Sequence, residues 1–100
     1  MTRIKVIIPA YNEEESIGKV ITEIPDIVEE VIVVNNNSTD QTVQVATEAG
    51  ATVLTETRKG YGFACLKGLD YIAEFDEKPE IIVFLDGDYS DYPDQYSFLF

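Results

Sequence analysis

Val31-Ile32-Val33-Val34-Asn35-Asn36-Asn37-Ser38-Thr39-Asp40 is the stretch on which the fold turns. Four β-branched residues run without alternation straight into six polar ones. A strand with one wet face alternates apolar and polar residues. A continuous apolar run belongs to a strand covered on both faces, as in a parallel sheet. Ile4–Ile8, Thr52–Leu54 and Ile81–Leu85 have the same character.

Between these runs the period becomes helical. Asn12 is a good N-cap, with Glu15 three positions on as in a capping box; Ile17, Val20, Ile21 and Ile24 follow, and Pro25 stops the helix. A second helix is expected from near Asp40, with Val43 and Ala46 inward and Gly50 as its end. A third follows Gly62, with Cys65, Leu66, Leu69, Ile72 and Ala73 on one apolar stripe. The order β-α-β-α-β-α-β predicts an α/β fold: a Rossmann-like, three-layer α/β/α arrangement with a mostly parallel sheet and right-handed crossovers. After Pro93, Asp94 to Phe100 reads as the start of a helix with an apolar face and nothing to pack on. That would leave the last strand with an open edge, through which copies could self-associate. The alternative is a tail that folds back onto the sheet.

Length and charge bound the function. The 100 residues suit one domain, 45% are apolar and 26% charged, and the net charge is −12. A surface this acidic repels polyphosphate backbones, which argues against nucleic acid as a partner. An anionic ligand would need a bound cation or local backbone donors. One cysteine, Cys65, excludes an internal disulfide and fits a cytoplasmic location. The absence of histidine excludes a histidine base, a Ser-His-Asp triad and a histidine zinc site within this chain. The apolar stretch at the N-terminus is too short for a membrane span or a signal-peptide core.

Ligands on parallel sheets bind beyond the carboxyl ends of the strands, and unusual polar residues gather there. Asp86-Gly87-Asp88, after the fourth strand, offers paired carboxylates that suit Mg²⁺ or Mn²⁺, or else makes a solvated turn. Gly87 leaves room for a close approach. After the first strand come Pro9-Ala10-Tyr11-Asn12-Glu13-Glu14. There Tyr11 can stack on a base or simply pack. Asn35-Asn36-Asn37 supplies amides for a base edge, or shapes a loop. Arg58-Lys59-Gly60-Tyr61-Gly62 places cations beside glycines that open a helix, a setting for a diphosphate, although it is not a Walker loop.

Taken together, Ile8-Pro9-Ala10-Tyr11-Asn12-Glu13-Glu14, Asn37-Ser38-Thr39-Asp40, Gly60-Tyr61-Gly62 and Phe84-Leu85-Asp86-Gly87-Asp88 resemble glycosyltransferase family 2, in its order and spacing. The nearest likeness is to the dolichyl-phosphate mannosyltransferase-like branch. The resemblance implies a GT-A fold whose nucleotide-sugar-binding part is residues 1–100, cut short at the C-terminus. It implies inverting transfer from a UDP- or GDP-linked sugar, with a lipid phosphate among the acceptors to consider. Pro9, Tyr11 and Glu13 would surround the nucleoside, and Asn35 and Asn36 would meet the base. Lys59 would lie near the diphosphate. Asp86, Gly87 and Asp88 would form the DxD element, with Asp88 ligating the metal and Asp86 contacting the ribose or the metal. The family usually carries at least one aspartate where this chain has Asn35-Asn36, which would alter base preference. The acceptor site and any general base would lie outside this stretch, so no catalytic base is assigned. Two other readings share these residues: a nucleotide- or partner-binding remnant without transferase activity, and a phosphatase with Asp86 as nucleophile.

Overall fold

The computed structural model describes residues 2–88 and the strand 97–99. Strands β1 (Ile4–Ala10), β2 (Glu30–Asn35), β3 (Thr52–Thr55) and β4 (Ile81–Phe84) are parallel. A fifth, β5 (Ser97–Leu99), runs antiparallel to β4. The order in the sheet is β3-β2-β1-β4-β5. Helix α1 (Ile17–Thr22) follows β1, α2 (Thr42–Glu48) follows β2 and α3 (Tyr61–Ala73) follows β3.

The continuous apolar runs are explained by two cores, one on each face of the sheet. Val6, Ile8, Ala10 and Val33 pack with Ile17, Val20 and Ile21 of α1 and Ala46 of α2. Ile7, Ile32 and Val34 pack on the other face against Ala64 and Ile72 of α3. This is the three-layer, mostly parallel arrangement expected. The approach of α3 is close: a Cβ on Gly68 would lie 2.8 Å from Ile7 Cγ2 and 2.9 Å from its Cδ1.

At the amino ends of the strands a buried charge pair ties the sheet together. Lys5, only 3% exposed, sets its Nζ 2.9 Å from Glu30 Oε1 and 3.9 Å from the centre of the Phe75 ring. Glu30 Oε2 accepts hydrogen bonds from the Thr52 and Tyr71 hydroxyls at 2.7 and 2.6 Å. Burial pushes the Glu30 carboxyl upward, but the bonds from Tyr71, Lys5 and Thr52 outweigh it and hold the group below its ordinary range.

Four expectations are corrected. Asn12 does not cap α1, which begins at Ile17. Its backbone is left-handed (φ 51°), and its Oδ1 accepts the Thr39 N–H at 2.8 Å, so the amide is used by the β2–α2 loop. Val43 is exposed on α2, where Thr42 and Ala46 are the buried residues. The buried line of α3 is Ala64, Gly68 and Ile72, at a spacing of four, which leaves Leu66 and Ala73 exposed. β4 has neighbours on both sides, because Ile82, Val83 and Phe84 pair with Leu99, Phe98 and Ser97. The expected open edge on β4, the basis for self-association, is therefore taken, and a helix does not extend over 97–99. The remainder of the expected helix, residues 94–96 and Phe100, lies outside the described residues. Among the described residues no helix is long and apolar enough to cross a membrane.

Candidate functional site

The chain lays down β1, β2 and β3 outward in one direction, then returns to the other side of β1 with β4. Where strand order reverses, the loops after the two central strands diverge and leave a crevice at their carboxyl ends. A cavity of about 300 Å³ lies there. Pro9 and Ala10 line it from the end of β1, Tyr11 and Glu13 from the loop after it, Asn36 from just past β2, Tyr61 and Ala64 from α3, and Asp86, Gly87 and Asp88 from beyond β4. Segments about eighty residues apart in the chain thus share one wall.

The Asp86-Gly87-Asp88 turn is seated against α1. The Ser16 hydroxyl donates to the Gly87 carbonyl at 2.6 Å. A Cβ on Gly87 would stand 3.2 Å from Ile17 Cδ1 and 3.4 Å from Glu13 Cγ. Gly87 is therefore as much a packing residue as a gap in the cavity wall. It lets the turn lie down while Asp86 and Asp88 on either side stay exposed.

The rim is strongly negative. Burial raises the Glu13 carboxyl above its ordinary range, and the charges of Asp88 and Asp40 add to the shift against a hydrogen bond from Ser16. A divalent cation would relieve this field. Among the described residues no three Asp, Glu or Cys side chains converge as a ready metal cage. Two aspartates in an open turn match an ion such as Mg²⁺ or Mn²⁺, which keeps several waters and takes oxygens from substrate phosphates.

The asparagine run serves the loops. Asn35 is 7% exposed and does not line the cavity; its Oδ1 accepts the Ser38 N–H at 3.0 Å. The Asn36 amide is bonded to backbone groups of the β3–α3 loop. Asn37 (φ 66°) turns the chain left-handed and donates to the Thr57 carbonyl at 2.9 Å.

The basic loop also turns away. Arg58 donates through its backbone N–H and guanidinium to Glu56 at 2.8 to 3.0 Å and lies over the Phe63 ring. These bonds draw the Glu56 carboxyl down to about 2. Lys59 is exposed and outside the cavity lining. What this segment does bring to the cavity is the start of α3, entered through Gly60 at φ 127°. Tyr61, not singled out as a site residue from sequence, stands in the wall; burial foremost, with Cys65 and the Asp86 charge, pushes its phenol up to about 12. An aromatic residue between two glycines at a helix start was the signal available for it.

A family model described as Glycosyl transferase family 2 matches residues 5–99. Protein RfbJ of Shigella flexneri is 52% identical over 63 residues, covering 59% of this chain and 47% of that protein. An uncharacterized glycosyltransferase of Mycobacterium tuberculosis is 46% identical over 66 residues, covering 66% of this chain and 30% of its own length. Among solved structures, glucosyl-3-phosphoglycerate synthase from Mycobacterium tuberculosis, in complex with Mn²⁺, uridine diphosphate and glucosyl-3-phosphoglycerate, superposes with a TM-score of 0.73 at 34% identity. The match covers 86% of this chain and 33% of that one. The chain thus spans less than half the length of each of these proteins.

Proposed function

This chain belongs to glycosyltransferase family 2, and from that premise we propose that its rim cavity receives a nucleoside-diphosphate sugar, UDP- or GDP-linked, together with a divalent cation. The observation that carries the proposal is the meeting of Tyr11, Asp86 and Asp88 in one cavity at the strand-order reversal. Support comes from the solved relative, whose own complex holds Mn²⁺ and uridine diphosphate.

Tyr11 offers a ring face to the base, while Pro9 and Glu13 wall the nucleoside. The first turn of α3 directs backbone N–H groups and the positive end of its dipole toward the phosphates. Lys59 lies in the loop just before that turn, close enough in sequence to reach a diphosphate although it does not line the cavity. Asp86 and Asp88 would hold Mg²⁺ or Mn²⁺, which when bound supplies positive charge to offset the diphosphate and the −12 of the chain. The reaction we propose is inverting transfer: an acceptor oxygen, here a phosphate oxyanion with no proton to lose, bonds the anomeric carbon as the bond from that carbon to the diphosphate oxygen breaks and the nucleoside diphosphate leaves. Within the family we favour the dolichyl-phosphate mannosyltransferase-like branch, on the motif likeness, with a lipid phosphate as acceptor.

Calorimetric titration with UDP and with GDP, with and without Mn²⁺, tests this reading. Binding that needs the metal and is lost in Asp88→Ala is expected. Equal affinity in the absence of metal would remove the proposed role of the two aspartates.

A further inference from the structure

We infer that Asn36 is a positioning residue whose side-chain amide clamps the loop between β3 and α3, and so sets where Tyr61 and the first turn of α3 stand against the cavity. The inference rests on reading that cavity as a nucleotide site. Asn36 Nδ2 donates to the carbonyls of Glu56 and Arg58, both at 2.8 Å. Its Oδ1 accepts the Gly60 N–H at 3.0 Å. Its own backbone N–H donates to the Ala10 carbonyl at 2.9 Å. One residue therefore joins the end of β1 to three successive points of a loop that has no regular structure of its own.

The partner set demands an amide. Two carbonyl oxygens need two N–H donors, and one N–H needs a lone pair, and asparagine supplies both from one planar group. Aspartate has the same shape but, ionised, carries no hydrogen. It would lose both donors and set negative charge against two carbonyl oxygens. Serine or alanine would reach fewer of the three groups. With both donors held by loop carbonyls, the Asn36 amide acts on a ligand through Gly60 and Tyr61 rather than by offering those hydrogens to a base. The neighbouring tie from Asn37 to the Thr57 carbonyl grips the same loop from the adjacent position.

The test is amide exchange by NMR on the whole chain, with nucleotide titration alongside. In Asn36→Ala, which removes the acceptor of the Gly60 N–H together with both donors, exchange at Gly60 should quicken at least tenfold while Ile32 to Val34, in the core of β2, keep their rates. UDP affinity in the presence of Mn²⁺ should fall about tenfold, the scale of one lost buried partner. Unchanged exchange at Gly60, or a loosened loop with full UDP affinity, overturns the inference. Should the variant not fold, the unmodified chain still decides: slowly exchanging Asn36 side-chain amide protons support the clamp, and exchange at the rate of a free amide overturns it. If the unmodified chain binds neither UDP nor GDP, the nucleotide reading fails, and the clamp is judged on the exchange rates alone.

Discussion

The Ser16 hydroxyl donates a 2.6 Å hydrogen bond to the Gly87 carbonyl, across 71 positions of sequence, and this bond ties the turn holding the two candidate metal ligands to the start of α1. Ser16 is the N-cap residue of α1, yet its side chain makes no cap bond to the helix; the turn has taken it. Ser16→Ala should leave the fold intact, lowering stability by about 1 kcal/mol. It should weaken UDP binding in the presence of Mn²⁺ several-fold, on the order of fivefold for a loss of that size. Calorimetry and urea unfolding on the same sample separate the two effects. Full nucleotide affinity in Ser16→Ala would show that the turn holds its place unaided.

The contact of Gly68 with Ile7 predicts the sign of a substitution that helix propensity alone would get wrong. Alanine normally stabilises a helix interior by about 1 kcal/mol over glycine. Here its Cβ would lie under 3 Å from two carbon atoms of a fully buried isoleucine. Gly68→Ala should cost about 1–3 kcal/mol as overpacking. Combining it with Ile7→Ala, which opens that space, should destabilise by less than the sum of the two, with a coupling of about 1 kcal/mol or more by chemical denaturation. Strict additivity would mean that α3 shifts freely.

The Lys5–Glu30 pair should respond asymmetrically. Glu30→Ala removes the carboxylate bonded to the Lys5 ammonium, on a residue only 3% exposed, and leaves the Phe75 face and the more distant Glu29 charge beside it; this should cost about 3 kcal/mol or more. Lys5→Met leaves a carboxylate that keeps two hydroxyl donors, from Thr52 and Tyr71, and should cost less, about 1 kcal/mol. Urea midpoints in the two variants check the ranking, and the reverse order would refute the network as drawn.

Stability should fall in acid, and Glu56 names one cause. Its carboxyl titrates at about 2 in the folded chain against about 4.5 unfolded, because Arg58 bonds its charged form. A depressed folded value means that the unfolded chain takes up the proton first. The contribution is therefore fully present above about pH 4.5 and is lost as pH falls toward about 2. Glu30 and Asp40 are shifted in the same direction. Glu56→Gln should unfold more easily than the unmodified chain at pH 7, and the gap in urea midpoint should close as pH falls toward 2. A gap that stays constant with pH would place the effect in packing rather than in charge.

Several elements are legible in the order of residues itself. The four parallel strands lie nearly at their expected bounds, because burial on both faces leaves a continuous β-branched run that no other local structure requires. Gly50 (φ 98°) ends the α2 segment as its position predicts. The convergence of the three polar loops follows from parallel topology, since parallel strands bring every carboxyl end to one rim. The interior of α3 is less legible. Its apolar residues exceed what one face can bury, and Gly68, without a side chain to count, is the point of closest approach.

What the amino-acid order determined on its own is the parallel α/β core, though not the antiparallel β5, because strand burial and helical period are properties of short consecutive stretches. The tertiary structure alone decided which polar group meets which. Asn12 could cap a helix or accept from Thr39, Ser16 could cap α1 or hold Gly87, and the Asn36 amide could stand free or bond the β3–α3 loop. Each residue has several partners of equal local merit, and a hydrogen bond is awarded by distance and direction between atoms that only the finished fold brings within about 3 Å of one another.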